Sequence, residues 1–472
     1  MSRKRNKHPI IENLHITAYA AEGKSIGHGE DGKVIFVEGL VPGDVADVRL
    51  GKNKSSWAEG RSVRLVTPSA DRVQPFCPHF GVCGGCKWQM LPYPKQLEYK
   101  QQQVGDQLRR ISGLSLPDVM PIIGSAKDKW YRNKLEFTFS AQRYFTAEEI
   151  KAAGESVLPS EHGLGFHAPG LFDKVVPIHV CYLQEEPTVA LLRVLREYTE
   201  ANGLDYYDYR KQAGWLRNVI LRVATTGEVL INIVFQHERK AAREALLQHV
   251  YDSIPGITTL HYTINGKVND SLHDLDVHTW KGAGFIRETL EEFSFKISPK
   301  SFFQTNTAQA ERLYTVTREF AGLTGNEVVY DLYCGTGSIG IFCSKGAKKI
   351  IGIEVVDDAV KDARENALHN GISHYEAFTG DVADVCTDEF FAQHGRPDVI
   401  ITDPPRAGMH AKLIEQLLKM RAPKIVYVSC NPATQARDLA LLAESYEVLK
   451  LQPVDMFPHT HHIENVALLG LK

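Results

Sequence analysis

Hydrophobic and polar residues alternate in two different ways along this chain of 472 residues. Up to about residue 290, short apolar runs with a period of two are separated by turns rich in glycine, proline and aspartate, a pattern typical of β-strands. From about residue 291, strand-like runs alternate with segments of helical period. That repeated alternation predicts a doubly wound parallel sheet, so we expect a multidomain α/β protein.

The first part, residues 1–67, is predicted to be a small OB-like β-barrel. We expect strands at residues 34–37, 45–50 and 61–66, with turns at 27–32 and 41–44. Lys52, Lys54 and Trp57 fall in one predicted loop. This combination suits phosphate contact and base stacking, and it suits equally a solvated hairpin with a packed tryptophan.

The middle part, residues 68–290, is predicted to be an α+β domain. Strands are expected at residues 134–139, 218–223 and 229–235, and amphipathic helices at about 187–202 and 239–253. An earlier helical pattern at 94–113 ends on a glycine stop signal. We expect this helix to pack on the C-terminal domain.

Cysteines cluster at the start of the middle part. Cys77, Cys83 and Cys86 lie within ten residues, in a loop that contains glycine and proline. Without a secretory signal, such a cluster indicates a metal site or catalysis rather than disulfides. Cys181 could close the site from a distant segment, and His79 is the nearest alternative donor. The spacing does not separate zinc from an iron–sulfur cluster.

The last part, residues 291–472, contains the predicted parallel sheet. Strands are expected at residues 327–332, 349–354, 398–402, 425–428, 446–451 and 465–469, with a helix at about 356–370. In such a sheet, ligands bind in the crevice outside the carboxyl ends of the strands. Cys430 directly follows one of these strands, where a cysteine can be a nucleophile, a metal ligand or a small buried residue.

A glycine-rich loop follows the first strand of this part. Gly335, Gly337 and Gly340 match the pattern G-x-G-x-x-G, and Glu354 ends the next strand, where a carboxylate can accept from ribose hydroxyls. Asp331 adds a negative charge that would repel a pyrophosphate but suits the cationic amino-acid end of S-adenosylmethionine. The loop therefore favours S-adenosylmethionine over NAD.

Two further carboxylates follow strand-like runs. Asp381 follows the expected end of a third strand, where it could meet an adenine amine or simply cap a helix. Asp403 begins the sequence Asp-Pro-Pro-Arg, whose prolines stiffen the loop. Asp403 and Arg406 are therefore expected to be held at the mouth of the crevice, with a purely structural turn as the alternative.

Five motifs then occur in order along the chain: SFFQTN at 301–306, DLYCGTG at 331–337, DPPR at 403–406, SCNP at 429–432 and HTHHIEN at 459–465. Together they resemble the RNA uracil-5-methyltransferases of the RumA/TrmA type, and the resemblance spans the whole chain. It implies an N-terminal TRAM barrel, a central iron–sulfur domain and a C-terminal Rossmann-like class I methyltransferase domain. It also implies that four cysteines bind a 4Fe–4S cluster: Cys77, Cys83, Cys86 and Cys181.

The resemblance also implies roles for the crevice residues. Contacts to S-adenosylmethionine are expected from Gln304, Tyr333, Glu354 and Asp403, with Asp331, Gly335 and Asp381 as further binding residues. Cys430 would be the nucleophile that adds to carbon 6 of uracil, and Glu464 the base that removes the carbon 5 proton. Because the target base lies in folded RNA, we expect it to be flipped out.

The predicted partner is structured RNA, with 23S ribosomal RNA preferred and transfer RNA as the alternative. A non-catalytic RNA-binding iron–sulfur protein is the alternative from another class. The formal net charge of −3 means that RNA binding must come from a local patch. The basic start, residues 1–7, is not followed by an apolar run, and no apolar stretch is long enough to span a membrane. We expect a cytoplasmic, reduced and monomeric protein.

Overall fold

The structure, a computed structural model, describes residues 9–154 and 161–472. The basic start of the chain lies outside the described residues. Within those two ranges, no helix combines the length and the apolar character that crossing a membrane requires.

The N-terminal part is a closed five-stranded barrel, as predicted. Its strands are β1 (Ile10–Tyr19), β2 (Ser25–His28), β3 (Val34–Glu38), β4 (Val45–Asn53) and β5 (Trp57–Thr67), in the order β1-β2-β3-β5-β4. Alternate residues of β3, Ile35 and Val37, are fully buried in its core. The sequence pattern did not predict β1 or β2. Register shifts break the period-two alternation in β1, and β2 has only four residues.

The middle part is built on a seven-stranded sheet in the order β12-β11-β10-β9-β6-β7-β8. Its strands are β6 (Lys134–Ser140), β7 (Gly163–His167), β8 (Val175–Pro177), β9 (Leu216–Val223), β10 (Val229–Phe235), β11 (Ile257–Ile264) and β12 (Val277–Gly282). Its helices are α1 (Tyr93–Ser112), α2 (Ala147–Ala153), α3 (Thr188–Ala201) and α4 (Lys240–Ser253). β10 is buried along its whole length and lies inside the sheet, between β11 and β9.

The C-terminal part begins with a hairpin of β13 (Ile286–Leu290) and β14 (Phe293–Ile297), so the predicted boundary after residue 290 falls between two paired strands. A second seven-stranded sheet follows, in the order β17-β16-β15-β18-β19-β21-β20. Its strands are β15 (Val328–Leu332), β16 (Lys349–Glu354), β17 (Tyr375–Thr379), β18 (Val399–Thr402), β19 (Lys424–Ser429), β20 (Tyr446–Val454) and β21 (Glu464–Leu471). Its helices are α5 (Thr307–Ala321), α6 (Ser338–Cys343), α7 (Asp357–His369), α8 (Val382–Val385), α9 (Asp388–His394), α10 (Ala411–Met420) and α11 (Pro432–Leu442).

The predicted parallel sheet holds for β17, β16, β15, β18 and β19, but the whole sheet is mixed. β21 runs antiparallel to both of its neighbours, β19 and β20. The physical reason is the short connection from β20 to β21, residues 455–463, which returns the chain directly. A parallel strand would need a longer crossover.

Helix α1 packs on the C-terminal part although it belongs to the middle of the chain. Its buried residues Val104 and Leu108 share a core with Leu439 of α11. Its Lys100 is completely buried and pairs with Asp455, just beyond β20. The helix therefore ties the middle of the chain to the loop that leads into β21.

Candidate active site

A row of polar side chains lines one edge of the C-terminal sheet. Reading across neighbouring strands, the edge carries Glu354 at the end of β16, Tyr333 after β15, Asp403 after β18, Cys430 after β19 and Glu464 at the start of β21. The strand order reverses between β15 and β18, and such a switch point opens a ligand crevice. The fold thus collects these predicted site residues at one crevice.

Cys430 and Glu464 are neighbours because β19 and β21 pair antiparallel. Ser429 pairs with Asn465, so the next position on one strand and the preceding position on the other are Cys430 and Glu464. Facing residues of an antiparallel pair lie only about 5 Å apart. A thiol and a carboxyl group therefore meet at the end of the sheet, between β19 and the strand that reverses direction.

The glycine loop packs tightly at two positions and stays open at the third. A Cβ atom on Gly340 would approach the Asp331 carboxylate to 2.8 Å, and one on Gly337 would approach the Tyr375 hydroxyl to 2.9 Å. The backbone N–H of Gly340 instead donates to Asp331 Oδ2 at 2.9 Å. This bond fixes the start of α6 against the end of β15.

Gly335 faces open space and fits a bound nucleoside. Its φ is +53°, and a Cβ atom placed there would meet no protein atom within 4 Å. Its N–H donates to Glu354 Oε2 at 3.1 Å, while Glu354 Oε1 accepts from the Val356 N–H at 3.0 Å. Each carboxylate oxygen keeps a lone pair for a ribose hydroxyl. Tyr333, also left-handed with a φ of +61°, stands beside this loop.

The floor of the crevice is unusually acidic. Burial, with Asp403 and Glu354 nearby, raises the pKa of Asp331 to about 7. Burial likewise raises the pKa of Asp403 to about 7, although part of this side chain can be reached from the crevice. Burial and the charge of Asp403 raise the pKa of Glu464 well above its usual value. Such a cluster favours a cationic ligand, because a cation would let these groups ionise.

The Cys430 thiol is held in its neutral form by the same surroundings. Burial, then the charges of Glu464 and Asp403, raises its pKa to about 12, and Arg406 lowers that pKa in part. A thiolate is needed for nucleophilic attack. Positive charge brought into the crevice would therefore activate this cysteine.

Arg406 is a site residue to which the sequence pattern gave no role. Its charge lowers the pKa of both Cys430 and Glu464. Its backbone carbonyl accepts from the Asn431 side chain at 3.1 Å, which ties the two-proline loop to the cysteine loop. Arginine after the two prolines was a visible signal, but only the folded chain brings it to Cys430.

Two predicted cofactor residues have other structural contacts. Asp381 caps α8, because its Oδ1 accepts from the Ala383 N–H at 2.9 Å. The helix-cap interpretation of Asp381 therefore describes what this side chain does in the structure. Gln304 is 7% exposed in the segment before α5, and its backbone carbonyl accepts from the Asn133 side chain at 2.9 Å.

The β20–β21 loop, residues 455–463, is held from several directions before it reaches Glu464. Lys100 Nζ donates to Asp455 Oδ1 at 2.7 Å and to the Phe457 carbonyl at 3.1 Å. The His459 N–H donates to Gln96 Oε1 at 2.8 Å, and His459 has a left-handed φ of +64°. Strained backbone of this kind persists only where its surroundings fix it.

The four predicted metal cysteines line one small cavity. Cys77, Cys83, Cys86 and Cys181 surround it together with apolar side chains such as Phe166. All four are free thiols. Within residues 9–154 and 161–472, no three Cys, His, Asp or Glu side chains are grouped as ligands for one metal ion. The loop is joined to the crevice, because the N–H groups of residues 87 and 88 both donate to the carbonyl at position 459, at 2.9 and 3.1 Å.

Known proteins resemble this chain along nearly its full length. An RNA methyltransferase of Bacteroides thetaiotaomicron, described as uncharacterized, is 50% identical over 457 residues, covering 96% of this chain and 100% of the relative. One from Porphyromonas gingivalis is 48% identical over 461 residues, covering 97% and 99%. The tRNA (uracil-54, C5)-methyltransferase of Pyrococcus abyssi, solved with S-adenosyl-L-homocysteine, superposes with a TM-score of 0.75 at 28% identity, covering 97% of this chain and 100% of its own.

A family model for tRNA (uracil-5-)-methyltransferases matches residues 227–472, more than half of the chain. This match covers the whole crevice, from the glycine loop to Glu464. The predicted family is confirmed: the chain belongs to the RNA uracil-5-methyltransferases and is an S-adenosylmethionine-dependent RNA methyltransferase.

Proposed function

We propose that this enzyme methylates carbon 5 of uridine in RNA through a covalent adduct with Cys430. The observation that carries the proposal is the strand register that brings Cys430 next to Glu464. Cys430 can act as the nucleophile at carbon 6 and Glu464 as the proton acceptor at carbon 5. Both side chains must therefore reach the same uracil ring.

The chemistry follows from the weak nucleophilicity of uracil carbon 5. The Cys430 thiolate adds to carbon 6, forming a C–S bond, and the electron pair of the C5–C6 double bond makes the ring an enolate. S-adenosylmethionine supplies the electrophilic methyl group that carbon 5 accepts. Glu464 then takes the proton from carbon 5, the C5–C6 double bond re-forms, and the thiolate leaves with the electrons of the C–S bond.

The remaining crevice residues would hold the methyl donor. Gly335 and Glu354 fit its nucleoside, and Asp331 suits its cationic amino-acid end. We assign further contacts to Gln304, Tyr333 and Asp403.

We also propose three functional units, an RNA-binding barrel (1–67), a cysteine-containing unit (68–290) and the catalytic unit (291–472).

We propose 23S ribosomal RNA as the target and transfer RNA as the second candidate. The ribosomal assignment rests on the resemblance, in which the barrel and the cysteine set go with that branch. The similarity to the Pyrococcus abyssi tRNA (uracil-54, C5)-methyltransferase favours transfer RNA. Because that neighbour covers 97% of this chain, a full-length match does not by itself separate the two targets.

The proposed function is tested by trapping. RNA that contains 5-fluorouridine, incubated with the enzyme and S-adenosylmethionine, is expected to form a stable adduct, because fluorine cannot leave as a proton does. Cys430→Ala should form none, whereas Cys386→Ala, which removes a thiol buried in the hydrophobic core with α9 and α10, should still form it. Mapping 5-methyluridine in ribosomal and transfer RNA with and without the enzyme identifies the target. Absence of an adduct with every cellular RNA would overturn the mechanism.

The acidic crevice predicts that affinity for S-adenosylmethionine falls as the pH falls. Asp331 and Asp403, each with a pKa of about 7, are neutral below that pH and then no longer attract a cation. Loss of each such charge corresponds to about a tenfold rise in Kd between pH 8 and pH 6, so Asp403→Asn should remove one of two such steps. Calorimetric titration at both pH values measures it, with Asp403→Asn expected to flatten the dependence. Equal affinity at both pH values would contradict the prediction.

We further propose that the cysteine cavity holds a 4Fe–4S cluster. Four free thiols line one largely apolar cavity, and burial raises the pKa of Cys83 to about 12 and that of Cys86 to about 11, so cationic iron would supply the charge that their thiolates need. A cluster binds its ligands at four separate iron atoms, so the sulfurs need not meet at one ion. The methyl-transfer chemistry needs no electron from this site, and its loop bonds to the β20–β21 loop, so a structural role fits.

The cluster proposal predicts about four iron and four sulfide per chain in protein prepared without oxygen. Cys181→Ser is expected to lose most of this iron and the visible absorbance, because it removes one of four thiolate ligands. Cys343→Ser is the matched control, since this cysteine is buried in the C-terminal core. A colourless and iron-free wild-type preparation would overturn the assignment.

A further inference from the structure

Two adjoining cavities on the barrel are not used by the chemistry of the crevice. One, of about 520 Å³, is lined by the rings of Phe36 and Trp57 together with the segment 20–22. The other, of about 500 Å³, is lined by β4 and β5. Lys24 and Glu59 line both cavities and form an ion pair of 2.9 Å where they meet.

The first cavity has the aromatic surface that a nucleobase needs. Phe36 meets Trp57 edge to face, with 6.2 Å between ring centroids, and both rings are only half-buried. Lys52 Nζ lies 5.0 Å from the centre of the Trp57 ring. An accessible indole with a neighbouring cation is the arrangement that stacks unpaired bases in single-stranded nucleic acid.

The second cavity supplies charge for phosphates. Arg49, Lys52 and Arg61 line it and are exposed, and within the parts of the chain that the structure describes none of them forms an ion pair within 4.0 Å. The charge of Lys52 nevertheless reaches Glu59, whose pKa it helps to lower. Against these three cations stands one further lining carboxylate, Glu38, beyond the paired Glu59. The local excess of positive charge contrasts with the net charge of −3 of the whole chain. It favours a phosphodiester chain over a peptide as the occupant.

A turn that lines the aromatic cavity also packs against the β20–β21 loop. Ala21 and Glu22 of the turn Ala21–Gly23 line the cavity, and a Cβ atom on the third residue, Gly23, would lie 3.0 Å from His461 Cβ. Lys87 Nζ also donates to the Glu22 carbonyl at 3.4 Å. His461 belongs to the β20–β21 loop that leads into Glu464. One turn of the barrel therefore borders the aromatic cavity and packs against the loop that leads to the crevice.

We propose that the Phe36–Trp57 cavity binds an unpaired base of the RNA whose uracil enters the crevice, with Arg49, Lys52 and Arg61 on the adjoining phosphates. The proposal rests on the proposed function for the identity of that RNA. It assigns to the barrel a stacking site of its own, separate from the catalytic crevice. The site fits any base, because every base has a π face.

Labelled oligoadenylate of 12 nucleotides tests the site without involving the chemistry, because it contains no uracil. We expect Trp57→Ala to weaken its binding to the full-length protein about tenfold or more, and Trp57→Phe to retain most of the affinity. Arg49→Ser and Arg61→Ser should each lower the slope of log Kd against log salt by about one. Phe172→Ala, an exposed ring on another part of the surface, and Lys348→Ser, an exposed cation, are the matched controls. Fluorescence anisotropy measures each affinity.

The site is overturned if Trp57→Ala and Phe172→Ala bind oligoadenylate equally well, or if wild type does not bind it. A thermal melt of Trp57→Ala that matches wild type excludes misfolding. If Trp57→Ala unfolds, wild-type salt slopes in both Arg49→Ser and Arg61→Ser would overturn the site. The 5-fluorouridine adduct is scored separately at saturating RNA. Binding that depends on Trp57, without any adduct, would support this site and reject the proposed chemistry. An adduct, with binding that does not depend on Trp57, would support the chemistry and reject this site.

Discussion

Replacing Glu464 by glutamine is expected to stop the reaction after methyl transfer and to leave the protein covalently joined to its RNA. The amide cannot accept the carbon 5 proton, so the C5–C6 double bond cannot re-form and Cys430 cannot leave. The raised pKa of Glu464 makes its carboxylate a strong proton acceptor once it is ionised. Removing a general base of this kind lowers turnover by roughly 10²- to 10⁴-fold.

The expected adduct forms with natural uridine, which distinguishes this step from fluorouridine trapping. A denaturing gel of protein with labelled RNA measures it, and mass spectrometry should find the methyl group on the trapped base. Glu415→Gln, an exposed acid on α10, is the matched control and should turn over normally. A Glu464→Gln enzyme that forms no adduct would assign Glu464 to a step before the addition. Turnover at the wild-type rate would assign the base elsewhere.

The sequence predicted the individual strand ends of the crevice because hydrophobic periodicity and turn residues are local signals. Asp331, Glu354 and Cys430 each end or follow an apolar run, and the structure finds each at the carboxyl end of a strand. Local pattern also predicted α3, α4 and α7 to within two residues. Such signals need no knowledge of which strands pair.

Pairing was the part that the sequence could not supply. The apolar run of β21 has the same composition whether the strand is parallel or antiparallel, yet only the antiparallel register puts Glu464 beside Cys430. The effect of Arg406 on the pKa of Cys430 could not be predicted for the same reason, since the two residues follow different strands, β18 and β19. In β1, register shifts hid the alternation itself. Long-range geometry, and not residue type, limits what the pattern can predict.

The buried ion pair between Lys100 and Asp455 should be the costliest pair to break among the elements that support the crevice. Both side chains are completely buried, and Asp455 also accepts from the Tyr93 hydroxyl at 2.9 Å and from the Phe457 N–H at 3.0 Å. Lys100→Met leaves a carboxylate without its cation in the interior, which costs about 3–5 kcal/mol. The double variant with Asp455→Asn removes the stranded charge, so we expect it to recover a large part of that loss.

The loss of stability should appear in the β20–β21 loop, because Lys100 also donates a hydrogen bond to the Phe457 carbonyl. In a chain of several units a single unfolding free energy is poorly defined, so native-state hydrogen exchange at the Phe457 and His459 amides is the suitable measurement. Exchange there should accelerate in Lys100→Met, and the 5-fluorouridine adduct should form more slowly as the crevice loosens. Lys361→Met removes an exposed ion pair on α7, worth no more than about 1 kcal/mol, and should leave both unchanged. Protection equal to that of wild type in Lys100→Met would mean that the hydrogen bonds from Tyr93 and Gln96 hold the loop without the ion pair.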